Sequence, residues 1–402
     1  MNFWWILYFI DGIMFAMTAL TVVYVTVFTI ANLFGRHNEF AKGKLQKRFI
    51  ILIPSYKKDD VILQAVNSVL GQTYPQRLFD LVVISDHETE MTNMRLAQLP
   101  ITLLTPDFEN SSKAKSMQYA ILNLPQFKIY DAVIVLDADN IIEPEFLEQI
   151  NDAFEAAGTK AIQVHRLSRN RDTSVARLDN IFEEINNAIF RRGHNSLGLS
   201  ASLNGAGTIY DFEWFKEHIM KVRTPDGIKE LEAMLLREGI YIDYFDTIHI
   251  YDEKTRGLRN FKEQRARWDA DQLHSMISHI RFLPWALLNR HYDYANKILQ
   301  WILIPRTIMM GIILVMSVFL PFIYFTLAIK WWVIGAILMF AYSLATPDEL
   351  VDKHWDRDFL YAPILILYGL VNIFHVGLAE SETRVRSTRR FLHMLFPKKK
   401  RL

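Results

Sequence analysis

The most constraining feature of this chain is an uncharged apolar stretch near its N-terminus. Residues 13–34 contain no Asp, Glu, Lys or Arg. A helix of this length, at about 1.5 Å per residue, crosses the ~30 Å hydrocarbon core of a bilayer. A cleaved signal peptide has a basic start and a small-residue cleavage site, and this segment has neither. We therefore predict a retained transmembrane anchor over residues 1–34.

The charges that follow the anchor predict its orientation. Five basic residues lie between positions 36 and 48, against the single acidic Glu39. Under the positive-inside rule, such a flank stays in the cytoplasm. We therefore expect the middle of the chain in the cytosol, in an integral protein of a membrane such as the bacterial inner membrane.

A second apolar block predicts further spans between residues 299 and 378. The candidate spans are Arg306 to Leu327, Trp331 to Thr346 and Phe359 to Leu378. Residues 379–402 form a basic tail, which should also stay in the cytoplasm. Three spans after a cytosolic domain would place that tail outside, so the sequence leaves open whether there are three or four spans in all.

The hydrophilic middle of the chain, residues 49–255, alternates short β-rich runs with helical patterns. This alternation is typical of an α/β fold in which helices cover a mostly parallel sheet. With 51% hydrophobic residues and a formal net charge of +1, the chain is neither disordered nor a basic nucleic-acid binder. The absence of Cys excludes a disulfide scaffold and a Cys nucleophile. Strands are predicted over residues 49–53, 81–84, 101–104, 132–136 and 161–164.

Residues that follow the strands are the first site candidates, because such sheets bind ligands at the carboxyl ends of their strands. Pro54, Ser55 and Tyr56 follow the first strand, where a ring beside exposed amides can stack on a base. Asp86 follows the second strand and can accept a hydrogen bond from a base or a ribose. A plain turn and a helix N-cap explain these residues as well.

Two carboxylates follow the fourth predicted strand. Asp137 and Asp139 can both reach one site if the strand ends in a turn. Hard oxygen ligands of this kind suit Mg²⁺ or Mn²⁺, which also bind the oxygens of a diphosphate. Lys113 enters a predicted helix, where its charge either offsets a diphosphate or lies in solvent. The sequence thus predicts a divalent-cation and diphosphate site, with a solvated turn as the alternative.

An amphipathic segment, residues 256–298, connects the hydrophilic middle to the second apolar block. On a helix, Gln264, Arg267 and Trp268 lie at i, i+3 and i+4 and share one face. An amide, a guanidinium and a large ring together suit a diphosphate and a sugar. The alternative is a helix that lies on the membrane surface, and the two functions are compatible.

Taken in order, these motifs resemble those of membrane-bound processive family-2 glycosyltransferases such as cellulose, chitin, hyaluronan and poly-N-acetylglucosamine synthases. The resemblance covers residues 49–300 and implies a GT-A-like nucleotide-diphospho-sugar transferase fold in the cytosol, flanked by transmembrane helices. It implies nucleotide contacts for Pro54, Ser55, Tyr56, Asp86, Lys113 and Asp137. It implies Mg²⁺ or Mn²⁺ at Asp137 and Asp139, and diphosphate or acceptor contacts for Gln264, Arg267 and Trp268.

The family's catalytic base lies in a Thr-Glu-Asp motif, and the aligned tripeptide here is Ile228-Lys229-Glu230. The resemblance implies Glu230 as the base, with Glu232 as the second choice. The helix dipole favours a glutamate at a helix start in any case, so the local pattern does not decide its role. The implied reaction is inverting, metal-dependent transfer from a nucleotide-diphospho sugar, such as a UDP-sugar, to a growing polysaccharide.

Two other functions are compatible with the sequence. One is transfer of a single sugar to a polyprenyl phosphate or a glycolipid. The other is a non-catalytic membrane subunit that binds a sugar nucleotide, since the Thr-Glu-Asp position is altered. With so few spans, a partner subunit or a homo-oligomer would complete any pore for a polymer. The expected partners are the donor, a carbohydrate or lipid-linked acceptor and the membrane, but no nucleic acid.

Overall fold

The computed structural model describes residues 3–35, 41–125 and 127–350, together with 358, 362–363 and 366–367. The predicted span over 359–378 lies almost wholly outside these residues, and the predicted basic tail lies beyond them. The helices are α1 (Phe3–Leu33), α2 (Ile62–Leu70), α3 (Glu90–Leu96), α4 (Lys113–Leu122), α5 (Phe146–Ala157), α6 (Ser174–Asn187), α7 (Gly193–Ser196), α8 (Phe212–Ile219), α9 (Ile228–Arg237), α10 (Leu258–His279), α11 (Leu283–Leu288), α12 (Tyr292–Ile302), α13 (Arg306–Ile323) and α14 (Phe325–Ala345). The strands are β1 (Phe49–Tyr56), β2 (Phe79–Asp86), β3 (Thr102–Leu104), β4 (Ala132–Val135), β5 (Ile141–Ile142), β6 (Ala161–Ser168), β7 (Thr208–Asp211) and β8 (Ile242–Asp252).

The described strands form one mixed sheet in the order β3-β2-β1-β4-β7-β6-β8-β5. The strands from β3 to β4 in this order run parallel, as do β6 and β8. β7 is antiparallel to both of its neighbours, and β5 is antiparallel to β8. The predicted α/β fold with a mixed, mostly parallel sheet is confirmed. Five strands lie at the predicted places, whereas β5, β7 and β8 were not predicted.

The apolar composition of the central strands follows from their position between two layers of helices. Residues 49–53 of β1 and 132–135 of β4 are fully buried. Helices α2 and α5 pack on one face of the sheet, and α4, α8 and α9 pack on the other. A strand that is buried on both faces needs apolar side chains at every position rather than at alternate ones. The polar residues are therefore left for the strand ends, where the site candidates lie.

Three described helices are long and apolar enough to cross a membrane, judged by length and composition. They are Tyr8–Leu33, Arg306–Ile323 and Phe325–Ala345. The first and third pack on each other through a buried polar contact. Trp331 donates from Nε1 to a carboxylate oxygen of Asp11 at 2.9 Å, and Lys330 pairs with the other oxygen. These contacts satisfy a carboxylate that would otherwise be costly in lipid.

The two C-terminal spans differ from their predicted bounds. The sequence places a boundary at Lys330, but α14 begins at Phe325 and continues through this lysine. Its pairing with Asp11 explains the difference, because a neutralised ammonium need not lie at the membrane surface. The helix α14 has 21 residues, so it is not the short segment that the sequence indicates.

The anchor helix α1 packs tightly against α7 of the α/β domain at Gly193. A Cβ at this position would lie 2.3 Å from the carbonyl oxygen of Phe28. Beside it, the imidazole of His194 stacks on the Phe28 ring with centroids 3.7 Å apart and contacts the Tyr24 hydroxyl at 2.8 Å. Burial lowers the pKa of His194 to about 3, so the ring is neutral at physiological pH. The helix α1 is thus packed into the folded α/β domain rather than joined to it by a flexible linker.

We expect Gly193→Ala to lower the free energy of unfolding by about 1–3 kcal/mol, because an overpacked contact between α1 and α7 forces backbone shifts. The measurement is the thermal unfolding midpoint of the full chain in detergent. Gly257→Ala is the matched control, since a Cβ at Gly257 would meet nothing within 4 Å. Equal midpoints for the two variants would contradict the tight joint.

Candidate active site

The carboxyl ends of β1, β2 and β4 meet at one edge of the sheet. In the parallel register Tyr56 lies opposite Asp86, and Leu52 lies opposite Val135, just before the Asp137 turn. A pocket of about 200 Å³ opens at this edge. Its lining residues are Pro54, Ser55, Tyr56, Asp86, Ser111, Ser112, Lys113 and Ser116. The structure therefore brings together five of the six residues that the sequence predicts for nucleotide contact.

A ring and a carboxylate line this pocket. Tyr56 is 47% exposed and lies edge-on to the ring of His87, with centroids 5.7 Å apart. Asp86 is buried, and its Oδ1 lies 2.6 Å from Nδ1 of His87. Oδ2 of Asp86 is also buried and has no hydrogen-bond partner among the described residues. An unsatisfied acceptor beside an accessible ring suits a ligand that stacks and donates a hydrogen bond, as a nucleobase does.

Ser55 has a structural contact that the sequence did not predict. Its hydroxyl donates to Oε1 of Glu88 at 2.5 Å, and the backbone N–H of Lys58 donates to both oxygens of that carboxylate at 2.8 and 2.9 Å. Burial raises the pKa of Glu88, although these hydrogen bonds oppose the rise. The Ser55 side chain is thus used to hold the turn after β1, so that only the backbone of this residue can contact a ligand.

Lys113 joins two turns at the edge of the sheet. Its ammonium pairs with the carboxylate of Asp137 and donates to the carbonyl oxygen of Gly205 at 2.7 Å. Burial alone would raise the pKa of Asp137, but the positive charges of Lys113 and Arg166 lower it. The carboxylate is therefore ionised at neutral pH. The second carboxylate of the turn, Asp139, pairs with Lys58 at 3.2 Å.

The Asp137–Asp139 turn fits a divalent cation that is shared with a diphosphate. No group of three or more His, Asp or Glu side chains in the described part of the chain could hold a metal alone. Magnesium-type sites commonly use one or two carboxylates, with water and substrate phosphates as the other ligands. The donor set is thus right for Mg²⁺ or Mn²⁺ only when a diphosphate completes it. Lys58, Lys113 and Arg166 supply positive charge beside it, and the sequence did not predict Lys58 or Arg166.

A second cavity, of about 280 Å³, lies between the α/β domain and the apolar helices. One wall comes from α9 and α10 and carries Lys229, Trp268 and Asp271. The opposite wall comes from α1 and α13 and carries Val25 and Met309. A cavity between this domain and helices long and apolar enough to cross a membrane can receive a ligand from the lipid side. We call it the membrane-facing cavity.

The two predicted base residues are held by other groups. Glu232 is 2% exposed, its carboxylate pairs with Lys297 at 2.6 Å, and it accepts from the backbone N–H of Leu203 at 2.9 Å. Glu230 accepts from the backbone N–H groups of Arg223 and Thr224 at 2.8 and 3.1 Å. It lines a small pocket of about 50 Å³ and not the membrane-facing cavity. Glu230 thus holds the turn before α9, whereas Glu232 joins α9 to α12 and to the segment before β7.

Asp226 is a third carboxylate near the start of α9, and it lines both the membrane-facing cavity and the small pocket that contains Glu230. Its turn is fixed to α4 because the N–H of Ala114 donates to the carbonyl of Pro225 at 3.0 Å. Within the described residues its carboxylate makes no hydrogen bond or ion pair. Asp226 is exposed to solvent, and desolvation by the protein atoms around its carboxylate raises its pKa. The charges of Asp271 and Asp137 act in the same direction, and Lys113 opposes them.

A second carboxylate with a raised pKa lies deeper in the membrane-facing cavity. Burial raises the pKa of Asp269 to about 6, against the opposing charges of Arg265 and Lys229. The charges that act on Asp226 include Lys113 of the first pocket and Asp137, which pairs with Lys113, whereas those that act on Asp269 include neither. Asp226 is therefore the better placed of the two to act between the pockets.

The three residues of the predicted helical face do not share one environment. Trp268 lines the membrane-facing cavity, and Oε1 of Gln264 accepts from the Thr255 hydroxyl at 3.4 Å. Arg267 is exposed and does not line that cavity. Consecutive helix positions are about 100° apart, so Trp268 and Arg267 face different sides of α10. The cavity instead contains Arg265, whose guanidinium lies 4.5 Å from the Trp268 ring centroid.

Comparisons with known proteins identify the family and the fold. The family described as "Glycosyltransferase like family 2" matches residues 47–270. No curated protein sequence matches the chain. Among solved structures, the mannosyltransferase PcManGT from Pyrobaculum calidifontis, in complex with GDP-Man and Mn²⁺, has a TM-score of 0.58 at 13% identity, over 92% of this chain and 99% of its own. Residues 1–349 of S. aureus TarS have a TM-score of 0.39 at 14% identity, over 83% of this chain and 93% of their own. Because the family match covers more than half of the sequence, the chain, with its GT-A-like fold, belongs to glycosyltransferase-like family 2 and is a glycosyltransferase.

Proposed function

We propose that this enzyme transfers a sugar, with inversion, from a nucleotide-diphospho sugar to an acceptor that enters from the membrane side. The observation that carries the proposal is that Asp226 lines the membrane-facing cavity while its turn is bonded to the start of α4, next to Lys113 of the first pocket. A donor bound in the first pocket would present its sugar towards an acceptor in the second. The complex of PcManGT with GDP-Man and Mn²⁺ supports a donor of this class on this fold.

The donor would be held by the residues at the edge of the sheet. Tyr56 offers a ring for the base, and the free Oδ2 of Asp86 accepts from a base or ribose donor. Lys113 faces the diphosphate with a fixed positive charge. Asp137 and Asp139 would hold Mg²⁺ or Mn²⁺, and this ion would stabilise the negative charge of the leaving diphosphate. Lys58 then exchanges its carboxylate partner for the diphosphate.

Asp226 is the general base of the proposed reaction. Its carboxylate takes the proton of an acceptor hydroxyl, whose oxygen forms a bond to the anomeric carbon. The bond from that carbon to the diphosphate oxygen breaks, and the diphosphate leaves with the electron pair. One displacement of this kind inverts the anomeric configuration. A raised pKa makes Asp226 a stronger base than an ordinary aspartate, which favours proton transfer at neutral pH.

The resemblance to processive synthases favours a growing polysaccharide as the acceptor, and the alternative is transfer of a single sugar to a lipid-linked acceptor. Trp268 supports either acceptor, since a ring in the cavity can stack on the apolar face of a sugar. Arg267 gives no support for an acceptor contact, because it is exposed and does not line the cavity. The mass of the product distinguishes a polymer from the product of a single transfer.

The test is nucleotide-diphosphate release by the full chain in nanodiscs, across UDP- and GDP-sugars with Mg²⁺ or Mn²⁺. We expect release with one donor, and loss of release after chelation of the metal. A high-mass product would identify a polysaccharide synthase. Nucleotide binding without release, under any condition, would contradict the proposal and favour a non-catalytic subunit. Absence of both binding and release would contradict the donor site itself.

A further inference from the structure

The membrane-facing cavity contains a cation without a carboxylate partner. Arg306 is the first residue of α13 and lines the cavity. Its guanidinium donates to the carbonyl of Phe182 at 2.9 Å and to the side-chain oxygen of Asn186. Among the described residues no carboxylate lies within ion-pair distance of it. A guanidinium has five N–H donors, so three are left for a ligand.

Lys229 is a second cation of the same kind. Its ammonium makes one long contact, 3.4 Å, to the backbone carbonyl of Trp268, and no ion pair within the described part of the chain. Burial lowers the pKa of Lys229, although Asp271 and Glu232 oppose this effect. A buried ammonium gains from a ligand that brings negative charge. Both Arg306 and Lys229 line the membrane-facing cavity.

The other cations of the cavity are already paired. Arg191 pairs with Glu183 at 3.2 Å, and Arg265 pairs with Asp179. Lys297 pairs with Glu232 at 2.6 Å. The two unpaired cations are therefore a specific feature and not part of a uniformly basic wall.

The apolar part of the cavity comes from the helices that can cross a membrane. Val25 of α1, Met309 of α13 and Tyr342 of α14 line it. Arg306 lies at the boundary, since it begins one of these helices and also contacts α6 of the α/β domain. A volume of about 280 Å³ is near the lower end of the roughly 300–1,000 Å³ of ligand pockets. It suits a sugar and a phosphate better than several residues of a polymer.

We infer that the acceptor is a sugar carried on a polyprenyl phosphate or diphosphate. The inference deepens the proposed function and rests on it, since it names the acceptor of the same reaction. Arg306 and Lys229 bind the phosphate through charge-assisted hydrogen bonds, and the isoprenoid chain leaves between the apolar helices. The sugar then lies near Trp268, with a hydroxyl facing Asp226.

The nucleophile decides between two lipid acceptors. A phosphate oxygen of a bare polyprenyl phosphate is already ionised near neutral pH and needs no base. A sugar hydroxyl must lose a proton, and the raised pKa of Asp226 suits that step. In the reaction, the hydroxyl oxygen bonds to the anomeric carbon of the donor, its proton passes to Asp226, and the nucleotide diphosphate leaves with the electron pair. The lipid phosphate remains bound and unchanged.

The test is direct binding of three probes to the full chain in detergent micelles: farnesyl phosphate, farnesol and inorganic phosphate. We expect farnesyl phosphate to bind more tightly than either of the others. Arg306→Gln should weaken its binding roughly 10- to 100-fold, the usual value of a hydrogen bond to a charged group. Lys229→Gln is a second variant, outside the apolar helices, with an effect in the same direction. Arg259→Gln is the matched control, since this side chain is 89% exposed.

Nucleotide binding, measured on the same samples, separates the two proposals and also reports folding. Intact nucleotide binding with weak farnesyl phosphate binding in Arg306→Gln and Lys229→Gln supports the inference. Equal binding of farnesol and farnesyl phosphate, or unchanged affinity in both variants, overturns it while the donor site stands. Tight binding of inorganic phosphate alone overturns the lipid part, because the site would then recognise a free anion. If the wild-type chain does not bind nucleotide, this result contradicts the proposed function instead.

Discussion

Asp226→Asn is expected to lower sugar transfer by roughly 10²- to 10⁴-fold, the usual contribution of a positioned general base. The amide has nearly the same shape as the carboxylate but cannot take a proton. Because no described residue bonds to the Asp226 side chain, the substitution should leave the fold and nucleotide affinity unchanged. The measurement is the initial rate of nucleotide-diphosphate release at saturating donor and acceptor, with nucleotide affinity determined in parallel.

The two glutamates that follow provide the matched controls. Glu230→Gln should keep most of the activity, since its carboxylate only accepts from two backbone N–H groups. Glu232→Gln should lower stability by about 3–5 kcal/mol, because it leaves the buried Lys297 without its partner. A large loss of rate in Glu230→Gln, with near-normal turnover in Asp226→Asn, would return the base to the residue that the family motif implies.

The pH profile is an independent measure of the base. Its carboxylate must be ionised to accept a proton, so kcat/KM should fall as the pH drops through its pKa. Burial and two neighbouring carboxylates raise the pKa of Asp226, so this fall should begin at a higher pH than for an ordinary aspartate. The acid limb of the remaining activity should be absent from Asp226→Asn.

Asp137→Asn and Asp139→Asn are expected to cost roughly 10²-fold or more in turnover, because electrostatic stabilisation of the leaving group is usually a large term. Asp139→Asn is the cleaner variant, since its only described contact is the ion pair with Lys58. Asp137→Asn also removes the partner of Lys113. The measurement is the initial rate as a function of Mn²⁺ or Mg²⁺ concentration, which should show a weakened metal dependence.

Glu213→Gln is the control for these two variants. Glu213 is exposed and lies at the start of α8. This helix follows Asp211, the last residue of β7, which pairs with Ala132 at the start of β4 and therefore lies at the end of β4 away from Asp137. The Glu213→Gln substitution removes one negative charge far from the proposed metal site, so turnover should not change. Normal turnover in both the Asp137→Asn and the Asp139→Asn variant would contradict the assignment of the metal to this turn.

The donor pocket is the part of the site that the sequence predicts best. Tyr56 and Asp86 each end a strand whose earlier residues are mostly apolar, and Asp137 directly follows the apolar run of residues 132–136. Parallel strands place their carboxyl ends together, so a local pattern is enough to bring these side chains to one edge. Lys113 belongs to the same class, because it begins the helix that packs on this edge.

Two parts of the structure have no comparable local signal. The long strand β8 pairs parallel to β6 across a bulge between Val164 and His165, and this contact spans about 80 residues of sequence. Asp226 gains its position from the contact of its turn with Ala114, more than 100 residues away. Nothing within the turn distinguishes it from Glu230, which the family motif favours.

The helical face of α10 shows why spacing alone is not sufficient. The spacing of Gln264, Arg267 and Trp268 predicts one helix face, but Arg267 and Trp268 are about 100° apart, and only Trp268 lines the cavity. The packing of Phe261 and Ala266 against neighbouring elements fixes the rotation of the helix, and this turns Arg265 rather than Arg267 towards the cavity. The rotation depends on tertiary contacts that no short motif encodes.

The structure of the full chain in nanodiscs with Mn²⁺ and a bound nucleotide-diphospho sugar tests the central claim most directly. We expect the base between Tyr56 and Asp86, the diphosphate between Lys113 and Asp139, and the carboxylate of Asp226 on the face of the sugar opposite the leaving group. A nucleotide bound outside this pocket, or a sugar whose open face meets Glu230 instead of Asp226, would contradict it.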